Sequence, residues 1–413
     1  MSKSDVVVIG SGFAGLIAAL VSAEKNKKVT LLSYGAGTFP LNSGVVDIIG
    51  YDEKGAAVAS PAQALATVPA EHPYKKIGIP SIQDAVKFFL DFTEKEGLPF
   101  VGSLDKQQWI VTAVGTMKPT CLVPESMQGN ACFDAAEIVL VGVKDLKDYY
   151  VDLVAKTLPE WLGKDKKYTT CTLDTHITGG RDLTTLDVAR WMDTEKGFGE
   201  AVSQLKSQAG SGKVFIVPAI LGTKGNDVYK KFVAALGCPV VETTGMPPST
   251  NGLRVRDMLL NALRKHGVEV VENIKAHGSV VDGKVCKAVV AGGEVRDKKY
   301  EADRFILATG GFYSGGITMR DFGETNEVVF GLPVEADCVE ERWVNEQLFS
   351  SQKQTFAKAG VRTDASLRAV DEAGNCVLEN VYVVGRDLSG YDFCFEHSGN
   401  GVALSSAYKA AMA

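Results

Sequence analysis

Near the N-terminus, Val6-Val7-Val8-Ile9 is apolar at every position. A strand with one wet face alternates apolar and polar residues, whereas one buried on both faces, as in the middle of a parallel sheet, does not. The run therefore predicts a central strand over residues 6–9. Gly10-Ser11-Gly12-Phe13-Ala14-Gly15 follows, then the helix-like Leu16-Ile17-Ala18-Ala19-Leu20-Val21, which ends at Asn26-Lys27-Lys28. Val29-Thr30-Leu31-Leu32 predicts a second strand. Strand, turn, helix and strand together occupy roughly 30 residues, the length of a βαβ unit.

Further along, residues 50–80 are rich in Ala, Pro and Gly and predict irregular chain. Residues 81–96 predict a helix capped by Ser81, with Val86, Phe89 and Leu90 on its apolar face. Strands are expected at 109–112 and 138–141, a solvated helix face at 144–148, and another helix over 183–191. Pro247-Pro248-Ser249-Thr250-Asn251-Gly252 breaks the chain. After it, Val255, Leu259, Ala262 and Leu263 stand at helical spacing and Gly267 closes the helix. A strand at 268–271 and a hairpin over 280–290, turning at Asp282-Gly283, precede a second central strand, Arg304-Phe305-Ile306-Leu307-Ala308. Val381-Tyr382-Val383-Val384-Gly385 predicts a third, and a last helix starts near Gly399-Asn400-Gly401. No segment repeats at a fixed period, which excludes a solenoid.

The 413 residues suffice for two or three domains, and 45% apolar with 23% charged residues is ordinary for a globular chain. A net charge of −6 speaks against a general nucleic-acid binder, which needs a basic face. The eight cysteines are scattered without a CxxC pair, so reduced thiols are expected and no iron–sulfur cluster, zinc or other metal site. The run at 6–9 is too short for a signal peptide, and no stretch of about 18 apolar residues predicts a membrane span. A cytoplasmic location follows, with membrane contact only through a partner.

The 43 glycines change the picture most. In Gly10-x-Gly12-x-x-Gly15 the first glycine permits a tight turn, the second lets a pyrophosphate approach the backbone, and the third lets helix and strand pack closely. The helix N-terminus then offers N–H groups and a positive dipole to phosphate. Alone the triplet is a weak signal; after a buried strand and before a helix it points to a dinucleotide or flavin. One expected part is missing. No Asp or Glu occurs between Glu24 and Asp47, and Ser33 stands where a carboxylate would grip the adenosine ribose. Thr309-Gly310-Gly311 at the end of the second central strand lets chain pass close to a cofactor. Gly385 and Asp387 follow the third strand, where Asp387 is expected to bond ribityl hydroxyls. The helix opening at Gly399, Asn400 and Gly401 is expected to aim its N-terminus at the flavin pyrimidine end.

These glycine turns, in this order, resemble the two-dinucleotide-binding flavoproteins. A closer resemblance, to the B subunits of anaerobic glycerol-3-phosphate dehydrogenases, rests on Leu41-Asn42-Ser43-Gly44-Val45-Val46-Asp47, Gly115-Thr116-Met117-Lys118-Pro119-Thr120, and Pro247-Pro248-Ser249 with Gly252 and Arg254. It continues through Gly310-Gly311-Phe312-Tyr313-Ser314-Gly315-Gly316, Gly331-Leu332-Pro333-Val334 and Gly390-Tyr391-Asp392. The sequence departs from its relatives at Glu396-His397-Ser398, where they are richer in glycine. The resemblance implies an α/β chain whose Rossmann-type flavin domain, of the glutathione-reductase kind, is split into residues 1–75, 247–315 and 366–413. An inserted α+β substrate or cap domain would occupy 76–246, with a further cap segment at 316–365. Asn42, Ser43 and Gly44 then join the cofactor set.

The resemblance further implies a flavin-bearing chain that works with two partners, an FAD-bearing catalytic A subunit and an iron–sulfur C subunit, at the inner face of the membrane. Together they would carry electrons from glycerol 3-phosphate, which becomes dihydroxyacetone phosphate, to quinone. FMN is usually assigned to this chain. The missing ribose carboxylate leans the same way, while the fold's geometry suits FAD. No histidine stands near Ser43-Gly44, so non-covalent binding is expected. His397 is the one histidine placed near a flavin edge; His72, His176, His266 and His277 read as structural. Arg254, Arg256 and Lys118 are candidates for holding an anionic substrate, and Trp109 and Trp191 for packing. No general base stands out. An independent reductase of a small acid and a non-catalytic electron relay remain as alternatives.

Overall fold

The computed structural model describes residues 3–177, 181–293, 296–319, 324–337, 339–347, 350 and 352–413. They fall into two compact units: Met1–Thr38, Asp47–Phe88 and Leu259–Ala413 form the first, Phe39–Val46 and Phe89–Met258 the second.

In the first unit, Val6, Val7 and Val8 are each at most 2% exposed, because their strand, Ser4–Ile9, lies in the middle of a seven-stranded sheet. Parallel neighbours flank it: Val29–Leu32 on one side and the long strand Asp297–Leu307 on the other. Glu269–Val271 extends the sheet beyond Val29–Leu32. The far edge of the long strand is shared. Its beginning pairs antiparallel with Val285–Gly292, and its end, Phe305 to Leu307, pairs parallel with Val381–Val383. Ile9, Leu307 and Val383 thus bring three parallel strands to a finish side by side. The helix Phe13–Glu24 packs against the last helix, Gly399–Met412.

Several local expectations give way here. Residues 50–80 are not irregular: they hold the helices Pro61–Thr67 and Pro73–Ile77. Both begin on proline, which breaks a helix interior but suits its first position, and Ser60 and His72 cap them by accepting the amides of Gln63 and Tyr74. Ser81 caps nothing, because its helix, Ile79–Lys95, has already begun. His277 lies on the strand Lys275–Asp282, at a bulge beside Gly278, rather than in a turn.

The second unit is built on a four-stranded parallel sheet in the order Val240–Glu242, Lys213–Val217, Glu137–Val143, Lys167–Leu173. Ile138, Val139, Leu140, Phe215 and Ile216 are fully buried at its centre, and Trp109 and Trp191 pack against that core. Residues 144–148 form a turn, not a helix face; Asp145 and Asp148 take left-handed backbone there, which aspartate tolerates better than most residues. The helix Thr185–Met192 carries a capping box between Thr184 and Asp187.

Candidate functional site

At the three strand ends of the first unit, missing side chains decide what can touch. A Cβ on Gly10, whose φ is +107°, would stand 2.1 Å from the Ala308 carbonyl oxygen, and one on Gly15 1.8 Å from the Gly10 oxygen. Both positions are therefore glycine for the protein's own packing. Gly12 differs: a Cβ there meets nothing within 4 Å. Gly12 is also the N-cap of the helix Phe13–Glu24 and offers no side chain to that terminus. Phe13 and Ala14 are buried at the helix start. The result is an open approach to a helix N-terminus, the setting in which backbone N–H groups and the helix dipole hold phosphate.

Beside it, Ser33 is only 4% exposed, and its hydroxyl lies 2.6 Å from that of Ser11. Ser11 donates to the Gly35 carbonyl at 2.7 Å. Ser33 is thus tied to the glycine turn itself instead of offering a free hydroxyl to a ribose. Gly37, which sequence reasoning missed, packs so near that its Cβ would stand 2.8 Å from the Gly12 Cα.

At the second strand end Gly310 and Gly311 take positive φ, +84° and +63°. Asp387, fully buried, accepts the Gly310 amide at 3.0 Å, the Gly311 amide at 2.8 Å and the Thr309 hydroxyl at 2.9 Å. Where a contact of Asp387 with ribityl hydroxyls was expected, the structure shows a side chain that is 0% exposed and holds this turn from inside. Burial pushes its carboxyl up, against those three donors. Gly385 (φ +67°) sits where a Cβ would come within 2.9 Å of the Ala14 methyl, and its amide donates to Ser406 at 3.0 Å. Glu327 accepts the amides of Val329 and Phe330 at 2.8 and 2.7 Å, and burial, with Asp387 adding, pushes its carboxyl up to about 7.

At the last helix, the Gly401 amide is committed to the Asp47 carbonyl at 2.9 Å, and a Cβ would stand 2.3 Å from the Tyr74 hydroxyl. Gly401 is thereby a packing glycine, while Gly399 and Asn400 are half-buried at that terminus. His397, at φ +49°, sets its ring edge-on to Tyr51 at 4.7 Å. Arg386, unassigned by sequence, lies over Tyr313 and Phe393 at 5.4 and 4.6 Å, and no carboxylate among the described residues pairs with it.

The remaining candidates belong to the second unit. Asn42 accepts the Gly44 amide at 2.9 Å, and a Cβ on Gly252 would stand 2.8 Å from Asn42 Oδ1, so residues 42–44 pack against the start of the helix Thr250–Lys265. Ser43 is half-buried between them. Lys118 is half-buried on the strand Met117–Thr120. Arg254 needs correction as an anion receptor. It is 4% exposed, donates to both oxygens of fully buried Glu242 at 2.6 and 3.0 Å, and gives its Nε–H to the Gly222 carbonyl at 2.8 Å. Arg256, two residues on, keeps a buried Nε without a partner among the described residues.

The open Gly12 approach, beside turns that carry no side chains, fits the phosphate end of a flavin nucleotide. The family described as FAD binding domain matches residues 5–402. The chain belongs to this FAD-binding family. Curated relatives in it are named as the B subunit of anaerobic glycerol-3-phosphate dehydrogenase. That of Vibrio vulnificus is 29% identical over 99% of this chain and 96% of its own length. A relative from Halobacterium salinarum, named as the probable B subunit of that enzyme, is 30% identical over 100% and 97%. Among solved structures, the 3-ketosteroid Δ1-dehydrogenase of Sterolibacterium denitrificans aligns over 100% of this chain and 99% of its own, at 10% identity and a TM-score of 0.49.

The resemblance drawn from the motifs therefore holds along the whole chain, and this member of the FAD-binding family is a flavin-dependent oxidoreductase. The family supports a flavin cofactor and favours FAD; the lean toward FMN rested on the cofactor that the resemblance implies and on the absent carboxylate after the second strand. The relatives' designation as B subunits implies a complex of several chains. No helix among the described residues is long and apolar enough to cross a membrane.

Proposed function

We propose that the chain is the flavin-bearing subunit of a quinone-linked anaerobic glycerol-3-phosphate dehydrogenase, holding FAD without a covalent link. Near-complete coverage of the named relatives supports the assignment to that enzyme. The unobstructed backbone at Gly12 supports the cofactor. The Gly10–Gly15 turn would hold the phosphates, and Thr309, Gly310, Gly311 and Gly385 would border the ribityl chain, held in shape by Asp387. Gly399 and Asn400 would face the ring. When bound, the flavin supplies acceptance of a hydride or two electrons and their release one at a time.

His397 would stand next to the ring. The chain would work with an FAD-bearing catalytic A subunit and an iron–sulfur C subunit, on the cytoplasmic side, and reach the membrane through them. The small-acid reductase alternative loses support, since Arg254 is bound up with Glu242.

Anaerobic addition of glycerol 3-phosphate tests this. The flavin absorbance of the assembled complex should bleach on mixing. Bleaching of the isolated chain would locate oxidation here, and bleaching only with the A subunit present would make this chain the relay. A flavin that stays oxidised in the turning-over complex would refute the proposal.

A further inference from the structure

The first unit contains a cavity of about 350 Å³ that the flavin proposal does not use. Its lining includes the buried His72, Tyr391 and Asp392 and the half-buried Tyr51 and Glu396. His72 is 2% exposed, and its Nδ1 accepts the Tyr74 amide at 3.1 Å, so its Nε2 carries the proton and donates to Glu396 Oε1 at 2.9 Å. Ser398 donates to the same oxygen. The other oxygen, Oε2, has no donor among the described residues. Glu396 is therefore a carboxylate fixed from behind, beside a second one, Asp392, that is 5% exposed. Tyr391 and Phe395 add apolar ring surface.

The mouth is different. Lys353 and Lys358 are exposed there, and neither pairs with a carboxylate among the described residues. Lys353 instead rests over the Phe395 ring at 4.8 Å. Asp52, also at the mouth, is taken up by the amides of Lys54 and Ala56 in its own loop, while Glu53, Lys54 and Glu71 are further exposed lining residues.

Two carboxylates at the inner end reject an anion there but accept hydroxyl groups, and aromatic rings suit the C–H face of a polyol. Unpaired ammonium groups at the entrance suit a phosphate. The geometry points to a binding site for a small phosphorylated polyol, entering hydroxyl end first, with its hydroxyls on Glu396 and its phosphate between Lys353 and Lys358. The choice of such a ligand rests on the proposed function; the site itself is new.

Calorimetric titration of the flavin-loaded chain with sn-glycerol 3-phosphate, glycerol and inorganic phosphate tests it. Glycerol 3-phosphate should bind at least tenfold more tightly than either part. Replacing both Lys353→Ala and Lys358→Ala, two exposed positions, should weaken glycerol 3-phosphate about tenfold and leave glycerol unchanged. Glu396→Gln should weaken both. Absence of glycerol 3-phosphate binding, or binding that the double lysine variant does not alter, overturns the inference. Flavin absorbance is read on the same samples: a full flavin complement without polyol phosphate binding defeats this site alone, whereas a colourless wild-type chain defeats the functional proposal.

Discussion

Asp387 accepts the amide of Gly311 at 2.8 Å and so ties the end of one parallel strand to the turn that follows its neighbour. The same carboxylate holds Gly310 and Thr309. Its side chain is the internal framework of the turn, and the glycines keep that turn thin.

Asp387→Ala leaves the buried Gly311 amide and the half-buried Gly310 amide and Thr309 hydroxyl without their acceptor, at about 1–3 kcal/mol for each group that water cannot reach. Urea unfolding should show a loss of about 2–4 kcal/mol, together with loss of bound flavin. Asp387→Asn should fall between, because its amide can serve only one side of the turn as acceptor. Unchanged stability with weakened flavin binding would instead make Asp387 a direct cofactor ligand.

Arg254→Met strips Glu242 of its cationic partner in a site where both are at most 4% exposed. An uncompensated buried charge of this kind costs about 3–5 kcal/mol. The double replacement Arg254→Met with Glu242→Met should recover most of that loss in chemical denaturation. A stable Arg254→Met protein with a raised KM would restore the arginine as a substrate contact.

Glu327 sets a pH dependence. Its carboxyl is pushed up to about 7 from an ordinary 4.5, so between those values the folded chain holds a proton that the unfolded chain has released. The contribution to stability is complete below 4.5 and is lost as pH rises toward 7, on the order of 3 kcal/mol at most. Thermal melts at pH 5 and pH 7.5 should differ less in Glu327→Gln than in wild type. Equal differences would remove Glu327 as the origin.

The sequence was most legible where one physical cause acts locally. Val6-Val7-Val8-Ile9 can be apolar throughout only if both faces are covered, and the sheet covers them. Gly10, Gly12 and Gly15 were legible as a motif, but not as unlike members of it: that two are filled by the protein's own backbone and one opens outward is a tertiary fact. Asp387 and Arg254 carried correct chemistry toward wrong partners, because the amides of Gly310 and Gly311 and the carboxylate of Glu242 lie far away or at no fixed spacing in the chain. Pro61 and Pro73 misled because a proline that starts a helix and one that ends it look alike without the cap before them. His72 and Glu396 are 324 positions apart, and no local pattern joins them.

The unlike glycines also separate folding from cofactor binding. Gly10→Ala and Gly15→Ala press a methyl into backbone oxygens at 2.1 and 1.8 Å and should yield insoluble or grossly destabilised chain. Circular dichroism melts of the soluble fraction would detect a milder outcome and count against the packing role.

The most direct measurement is the flavin released on denaturation from wild type and from Gly12→Ala, separated by chromatography, with the unfolding midpoint of each flavin-free protein measured alongside. One equivalent of FAD from wild type, less than a tenth from Gly12→Ala, and matching midpoints are predicted. A wild-type chain that neither contains nor takes up flavin, or a Gly12→Ala chain that keeps its full complement, would contradict a flavin held at the Gly12 turn.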